Sequence, residues 1–208
     1  IHYDADLPAK TGLGTSSSFL VGLIHALNEL RNQPINPIQL ATEAIKIEQQ
    51  ILNENVGSQD QTSAAHGGIN QIIFNQKEIS VKPISITNKR KKELNDHLLL
   101  FFTGITRNSS TISQTHRQNI KKNKQTLRKL VELVKEGKTI LESSQHINEF
   151  GKLLHKNWEF KKSLSDKVSN PKIDKLYNFA IENGAIGGKL LGAGEGGFLL
   201  FFATPDKH

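Results

Sequence analysis

Closely spaced glycines and hydroxyl residues mark the most chemically suggestive stretch of the chain, Gly12-Leu13-Gly14-Thr15-Ser16-Ser17-Ser18. Glycines allow a backbone to approach an anion closely, and the N–H groups and dipole of a helix N-terminus favour negative charge. The apolar-periodic run over 19–30 predicts such a helix directly after the glycines. Because hydroxyl groups can contact a phosphate or a phosphate-bound Mg²⁺, the stretch is a candidate nucleotide-phosphate loop.

An ordinary capped helix after a glycine turn is the alternative interpretation, and the loop alone leaves it open. The loop is not a Walker A motif, because no Gly-Lys-Ser/Thr follows a four-residue gap. Residues 1–7 alternate like a strand, and Pro8-Ala9-Lys10-Thr11 interrupts the alternation. The order of strand, proline turn, glycine loop and helix favours the phosphate loop.

Two acidic residues could act at such a loop. Glu48 falls on the apolar stripe of a helix predicted over 37–53, where a carboxylate is unfavourable unless it is paired or binds a metal. The alternative is a glutamate at the stripe edge that reaches solvent. Asp60 comes two residues after Ser58, the predicted N-cap of a short helix. One interpretation is an ordinary first-turn aspartate that interacts favourably with the helix dipole. The other is an acid beside a bound phosphate that orients or deprotonates an attacking hydroxyl.

A second glycine loop, Gly192-Ala193-Gly194-Glu195-Gly196-Gly197, joins two predicted strands. It matches GxGxxG by letter, but a strand follows where a dinucleotide-binding fold requires a helix. We expect it to form a wall whose backbone touches a ligand. Arg107 follows the apolar run 97–102, predicted to be a buried strand, and it is either a phosphate clamp or a surface arginine. The histidines show no clear metal-ligand spacing.

The mixture of predicted elements indicates an α+β fold, because strands and helices follow each other without strict βα alternation. Besides the helices named above, the patterns predict further helices and strands. The further helices span about 109–136, 147–164 and 170–181, and the further strands span 69–74, 79–86 and 198–202.

Composition bounds the class of protein. The 208 residues, 36% of them hydrophobic, allow one large domain or two small ones, and the absence of cysteine excludes a disulfide framework and a thiolate metal site. The lack of a signal peptide or a membrane-length apolar run predicts a soluble, cytoplasmic protein. Because the sequence contains no methionine and Ile1 falls inside a predicted strand, we expect an internal fragment of a longer protein.

The net charge of +7 leaves open a non-catalytic module that binds anions or nucleic acid. Basic residues cluster at 89–92 and between 117 and 138. A charged loop and a solvated helix face are the favoured interpretation, because aromatic residues do not interleave the positive charges as they do in single-strand binders.

The phosphate loop, Gly57-Ser58-Gln59-Asp60-Gln61 and the second glycine loop occur in an order that resembles the GHMP kinases across essentially the whole chain. The finer pattern looks most like the D-glycero-D-manno-heptose 7-phosphate kinases. The stretches behind that likeness are 6–9, 48–52, 55–61, 101–107 and 189–194.

The resemblance implies ATP and Mg²⁺ as cofactors and transfer of phosphate to the anomeric hydroxyl of the heptose phosphate, giving the 1,7-bisphosphate. Asp60 would be the catalytic acid near the sugar, and Ser16 and Glu48 would hold Mg²⁺. The implied ATP-binding residues are Pro8, Lys10, Gly12, Leu13, Gly14, Thr15, Ser16 and Ser17. The implied substrate contacts are Asp60, Gly104, Arg107, Gly192, Ala193, Gly194 and Gly196.

The resemblance also implies the GHMP kinase fold, with an incomplete N-terminal part like ribosomal protein S5 over 1–86 and a ferredoxin-like part over 87–208. The expected partners are ATP and a sugar phosphate, without nucleic acid or membrane, and a homodimer is left open. Lys10 and Glu195 depart from the residues usual in their motifs, and the family's N-terminal substrate motif is absent. A galactokinase-like or fucokinase-like enzyme of the same superfamily is the alternative.

Overall fold

The computed structural model describes residues 6, 11–106, 120 and 122–208. Its first part is a helical layer of α1 (Thr15–Leu30), α2 (Pro37–Lys46) and α3 (Gln59–His66). Two apolar residues three positions apart on α1, Val21 and Ile24, are each 5% exposed and pack on α2, as helical spacing predicts. The buried residues of this cluster are Val21, Ile24, Leu40 and Ala44.

The helix predicted over 37–53 is present, but its second half changes geometry. Asn36 and Gln39 form a reciprocal capping box at the start, and Pro37 occupies the first turn. From Ile47–Ile51 the chain winds as a π-helix, a wider turn that recurs at functional sites. This segment contains Glu48. The backbone carbonyl of Glu48 accepts a 2.9 Å hydrogen bond from the Glu54 N–H.

A hairpin follows the helical layer. Strands β1 (Asn70–Phe74) and β2 (Ile79–Pro83) pair antiparallel, with Ile72 opposite Val81. The Asn75 side chain accepts hydrogen bonds from two backbone N–H groups of the connecting turn, which is how asparagine stabilises tight turns.

The second part of the fold contains an antiparallel sheet in the order β3-β5-β4. Its strands are β3 (Leu98–Phe102), β4 (Gly187–Leu190) and β5 (Phe198–Phe202). Its helices are α4 (Asn88–Asp96), α5 (Lys124–Glu142), α6 (Asn148–Lys162) and α7 (Pro171–Glu182), and a 3₁₀ turn spans Pro205–Lys207. Asn170 caps α7 with its side-chain oxygen, and Pro171 begins the helix, as the sequence predicts.

The core of the second part lies around the central strand β5. Phe201 packs with buried Trp158 and Tyr177, whereas the next residue, Phe202, packs in a separate cluster with Ile147 and Leu154. This alternation is expected of a strand covered on both faces. Gly187 of β4 lies so close to α6 that a Cβ there would overlap the backbone of that helix, so only glycine fits.

Three predictions on these elements need correction. Residues 89–92 belong to α4, which Thr87 caps, and not to a charged loop. Strand β3 is present but is not buried: it pairs with β5 on one side, and Leu100, Phe101 and Phe102 are 48%, 52% and 41% exposed. The helix predicted over 109–136 begins only at Lys124, after turns at residues 120, 122 and 123, and it continues to Glu142; residues 109–119 lie outside the described residues.

The expected domain boundary after residue 86 falls between β2 and α4 and stays a prediction. None of the helices in the described part of the chain combines the length and the apolar character that a membrane span requires.

Candidate active site

The start of α1 has a glycine N-cap and no side-chain capping bond within the described residues. Gly14 occupies this N-cap in a left-handed conformation, φ 71°. The first helical hydrogen bond runs from the Ser18 N–H to the Gly14 carbonyl at 2.9 Å. Because the hydroxyls of Ser16 and Ser17 contact Glu48 and not the helix backbone, the capped-helix interpretation is wrong.

Glu48 lies at the centre of the candidate site and is only 1% exposed. Its Oε2 accepts a hydrogen bond from Ser17 Oγ at 2.9 Å, and its Oε1 lies 3.1 Å from the same hydroxyl. Ser16 Oγ, on an exposed residue, reaches Oε1 at 3.4 Å. Of the two positions that the sequence leaves open for Glu48, the structure shows the buried one, and Ser17 is a closer partner than Ser16.

Gln61 is a further residue of this cluster, and the sequence alone predicts no role for it. It is fully buried, its Nε2 donates to Glu48 Oε2, and its Oε1 has no hydrogen-bond partner in the described structure. A buried amide that bonds a buried carboxylate fixes the orientation of that carboxylate. The available signal was helical spacing, because Gln61 lies four residues before Ala65, which packs in the apolar cluster of α1 and α2.

Asp60 lies in the first turn of α3, beside the start of α1. A Cβ added at Gly14 would lie 3.0 Å from Asp60 Cγ, so the two segments are in direct contact. Asp60 is exposed as a residue, but the protein atoms around its carboxyl partly desolvate it, and this desolvation together with the nearby charge of Glu48 raises the pKa of the Asp60 carboxyl. Ser58 precedes α3 as expected, but its Oγ accepts from Gln49 Nε2 at 3.2 Å and makes no capping bond.

The residues present fit a hard divalent cation. Ser16, Glu48 and Asp60 offer hydroxyl and carboxylate oxygens, and the partnerless Oε1 of Gln61 is a further oxygen in the same cluster. No group of three or more acidic, histidine or cysteine side chains in the described ranges forms a complete metal cage. A site with one or two carboxylates is typical of Mg²⁺, which completes its shell with water and phosphate oxygens.

The second glycine loop meets the segment that leads into the phosphate loop. Gly197, φ 102°, packs so closely on Thr11 that a Cβ would overlap the Thr11 carbonyl oxygen. The Gly197 N–H donates to Ile105 O at 2.8 Å, and its carbonyl accepts from the Thr103 N–H and hydroxyl at 2.9 and 2.8 Å. A Cβ at Gly196 would lie 2.6 Å from Ile105 Cγ2. Both motifs therefore line one region of the molecule.

Gly104 and Gly12 are two further expected site residues, and Gly104 lies between Thr103 and Ile105, which both bond Gly197. Gly104 has φ 72° and is exposed, and a Cβ there would meet nothing within 4 Å. Gly12 also has a positive φ, 82°. Pro8, Lys10 and Arg107 lie outside the described residues.

Comparison with known proteins gives matches along most of the chain. Residues 1–68 match the N-terminal domain of GHMP kinases, and residues 128–208 match the GHMP kinase C-terminal domain. The D-glycero-alpha-D-manno-heptose 7-phosphate kinase of Campylobacter jejuni is 36% identical over 211 residues, which is 100% of this chain and 62% of that protein.

Two solved structures share the fold and part of the sequence. A D-glycero-D-manno-heptose 1-phosphate kinase from Bacteroides thetaiotaomicron has 27% identity and a TM-score of 0.71. A putative sugar kinase from Campylobacter jejuni has 32% identity and a TM-score of 0.70. In both comparisons the match covers 97% of this chain and 56% of the other, so the chain spans little more than half of these relatives. The paired domain matches and the shared fold show that the chain belongs to the GHMP kinase family.

Proposed function

We propose that this chain forms the phosphate-binding and catalytic part of an ATP-dependent sugar kinase whose acceptor is a heptose phosphate. The observation that carries the proposal is the buried Glu48 carboxylate, which receives hydroxyl hydrogen bonds from the first turn of α1. A buried carboxylate held against an uncapped helix start suits a cation that bridges protein and phosphate. Asp60 adds a second carboxylate with a raised pKa beside Glu48.

In this proposal the ATP phosphates lie at the N-terminus of α1, against the backbone of residues 12–17. The helix dipole and the backbone N–H groups of the first turn favour the negative charge there. Pro8 and Lys10 would complete the loop. When bound, Mg²⁺ held by Ser16 and Glu48 would neutralise charge on the transferring phosphate. Glu48 is kept in place for this purpose by Ser17 and Gln61.

Asp60 would act on the acceptor. Phosphoryl transfer needs little covalent chemistry from a protein, and positioning the nucleophile is the main task left to a side chain. The raised pKa makes the Asp60 carboxylate a stronger base than an ordinary aspartate, so it can accept the proton of the sugar hydroxyl as the bond to phosphorus forms. We propose that this hydroxyl is the anomeric one and that the product of heptose 7-phosphate is the 1,7-bisphosphate.

The names of the relatives support a heptose phosphate as the acceptor. The Campylobacter relative is named for the 7-phosphate, whereas the Bacteroides structure is named for the 1-phosphate. Both names contain the same heptose and differ in the position of its phosphate. We propose the 7-phosphate because the Campylobacter protein is 36% identical to this chain and the Bacteroides protein is 27% identical. Arg107 and residues 192–196 are the proposed contacts of the sugar phosphate.

A substrate panel tests the proposal. The full-length protein is incubated with ATP and Mg²⁺ and each of heptose 7-phosphate, heptose 1-phosphate, galactose, fucose and mevalonate, and ADP release is measured. We expect turnover with heptose 7-phosphate and a phosphorus spectrum that shows a new anomeric phosphate. If only galactose or fucose were turned over, the proposed acceptor would be wrong and that sugar would take its place. If no compound of the panel were turned over, the proposed kinase activity would be contradicted.

Variants separate the assigned roles from general damage. Asp60→Asn is expected to reduce kcat by at least about 10²-fold, the usual contribution of a positioned acid or base. Glu48→Gln should raise the Mg²⁺ concentration needed for half-maximal rate. Asp166→Asn is the matched control, because Asp166 is exposed. Normal turnover by Asp60→Asn would refute the mechanism while leaving the substrate assignment intact.

A further inference from the structure

Lys161, in the last turn of α6, holds the beginning of the second glycine loop. Its Nζ donates to the carbonyl oxygen of Leu190 at 2.8 Å and to that of Gly192 at 2.6 Å. Leu190 is the last residue of β4, and Gly192, φ 67°, is the first glycine of the loop. One ammonium group therefore bonds both carbonyls where the strand ends and the loop begins.

The middle of the same loop is held by the turn that precedes α7. The Glu195 N–H donates to Val168 O at 3.0 Å, and the Glu195 carbonyl accepts from Asn170 Nδ2 at 3.0 Å. Glu195 needs this support, because it is a non-glycine residue with φ 60°, a conformation that costs about 1 kcal/mol or more. The Oδ1 atom of the same Asn170 amide caps α7 by accepting 3.1 Å hydrogen bonds from the backbone N–H groups of Lys172 and Ile173.

The two holding points belong to rigid parts of the fold. Lys161 lies one turn from Trp158, which is 0% exposed, and Val168 is also 0% exposed. On the opposite side the loop meets Thr11 and Ile105. The loop is thus fixed from behind by α6 and α7, while its front faces the segment that leads into the phosphate loop.

We propose that Lys161 and Asn170 are positioning residues that hold the backbone of residues 190–195 in the shape required for catalysis. Neither residue is assigned a contact with ATP or with the sugar. Hydrogen bonds from a charged donor are stronger than neutral ones, so the ammonium on two carbonyls is the main constraint on the loop entrance. The effect on catalysis rests on the proposed kinase function, whereas the effect on loop order does not.

The test combines hydrogen exchange with kinetics in the full-length protein. Lys161→Met removes the ammonium and keeps a long side chain, Lys161→Arg keeps the charge, and Lys152→Met is the matched control on α6, since Lys152 is exposed and pairs with Glu149. Asn170→Asp keeps the oxygen that caps α7 and loses the donor to Glu195. Amide exchange of residues 191–196 is measured without ligands, together with the melting temperature.

We expect Lys161→Met and Asn170→Asp each to raise exchange in 191–196 at least about tenfold relative to the rest of the sheet. Lys161→Arg should restore most of the protection, and Lys152→Met should change nothing. In the kinetic assay kcat/KM for the sugar phosphate should fall at least about tenfold, because small displacements of positioning groups are amplified in the rate.

Unchanged loop exchange in both variants would overturn the proposal, as would an increase spread evenly over α6, β4 and β5, since that would indicate a general structural role. Should Lys161→Met fail to fold, Asn170→Asp decides the question on its own. A protein that shows the loop-specific exchange but transfers no phosphate would refute the proposed function and retain the positioning role.

Discussion

Gly14 and Asp60 are in direct contact: a Cβ at residue 14 would lie 3.0 Å from Asp60 Cγ and 3.1 Å from Asp60 Oδ2. The contact joins the N-cap of α1 to the first turn of α3. Glu48 of the π-helical segment connects the same two helices, because it accepts hydrogen bonds from Ser17 of α1 and Gln61 of α3. Gly14 has φ 71° as well, so glycine is required there for conformation and for space.

Gly14→Ala is expected to damage both the fold and the site. A left-handed alanine costs about 1–2 kcal/mol, and the added methyl group must displace the Asp60 carboxyl. Urea unfolding should show the loss of stability, and the ADP-release assay should show a fall in kcat of at least about tenfold from the displaced carboxyl.

Gly22→Ala is the matched control on the same helix. A Cβ there meets nothing within 4 Å, and alanine in a helix interior is favoured over glycine by about 0.5–1 kcal/mol. We therefore expect a small gain in stability and unchanged turnover. Wild-type kcat in Gly14→Ala would show that the contact with Asp60 has no catalytic importance.

Asp60→Asn is expected to raise the melting temperature at neutral pH while it reduces kcat at least about 10²-fold. Partial desolvation of the carboxyl and the charge of Glu48 raise the pKa of Asp60, so the folded state binds this proton more tightly than the unfolded state. The ionised aspartate is therefore destabilising above its folded-state pKa. This penalty shrinks as the pH falls through the raised pKa and is absent below the ordinary pKa of aspartate.

Thermal melts of wild type and Asp60→Asn across acidic to neutral pH check this sign. The difference in melting temperature should favour the variant at neutral pH and shrink on acidification. A variant that melts below wild type at neutral pH would contradict the destabilising role and indicate that the carboxylate makes net favourable contacts.

The helices and strands whose signals are local could be predicted from the sequence. Asn170-Pro171 marks the start of α7 because an N-cap oxygen and a fixed proline φ act within one turn. Helical spacing places Glu48 on the apolar stripe but leaves open a carboxylate at the stripe edge that reaches solvent, and the structure shows the buried position. Thr87 offered the same kind of N-cap signal for α4, but the run of basic residues after it favoured a loop.

The partners of the site could not be predicted, because they depend on contacts between distant segments. Lys161 is one of several lysines on α6, and nothing in its neighbourhood along the chain indicates that it reaches Gly192. The apolar run of β3 predicts burial, but burial depends on which elements cover a strand, and Leu100 and Phe101 lie about half exposed. An apolar strand pattern indicates that a strand has apolar surface, but it does not indicate which element covers that surface.

Gln61→Leu is expected to destabilise the protein by about 2 kcal/mol and to loosen Glu48. The substitution removes the donor to Glu48 Oε2, and a buried charged group that loses a partner carries an unfavourable free energy of about 1–3 kcal/mol or more. Urea unfolding of wild type and variant measures this change. Gln125→Leu, on an exposed residue of α5, should change stability by less than about 0.5 kcal/mol.

The double variant Gln61→Leu with Glu48→Gln separates the pair from its surroundings. If the cost of Gln61→Leu arises from the unpaired charge of Glu48, it should be smaller when Glu48 is replaced by a neutral amide. Strict additivity of the two single changes would show that Gln61 acts through packing and does not hold the carboxylate.

Arg90→Met is expected to lower stability by about 2–3 kcal/mol, because Arg90 links α4 to the end of α5 and is not available to a nucleic acid. Its side chain is 12% exposed and bonds Ile140 O at 2.9 Å, Gln145 O at 2.6 Å and Glu93 at 2.8 Å. The neighbouring Lys91 is exposed, and Lys91→Met should leave urea unfolding unchanged.

The same two variants test the basic-module alternative, in which both would weaken salt-dependent RNA binding without loss of stability. Equal stability of wild type and Arg90→Met would refute the structural role of Arg90.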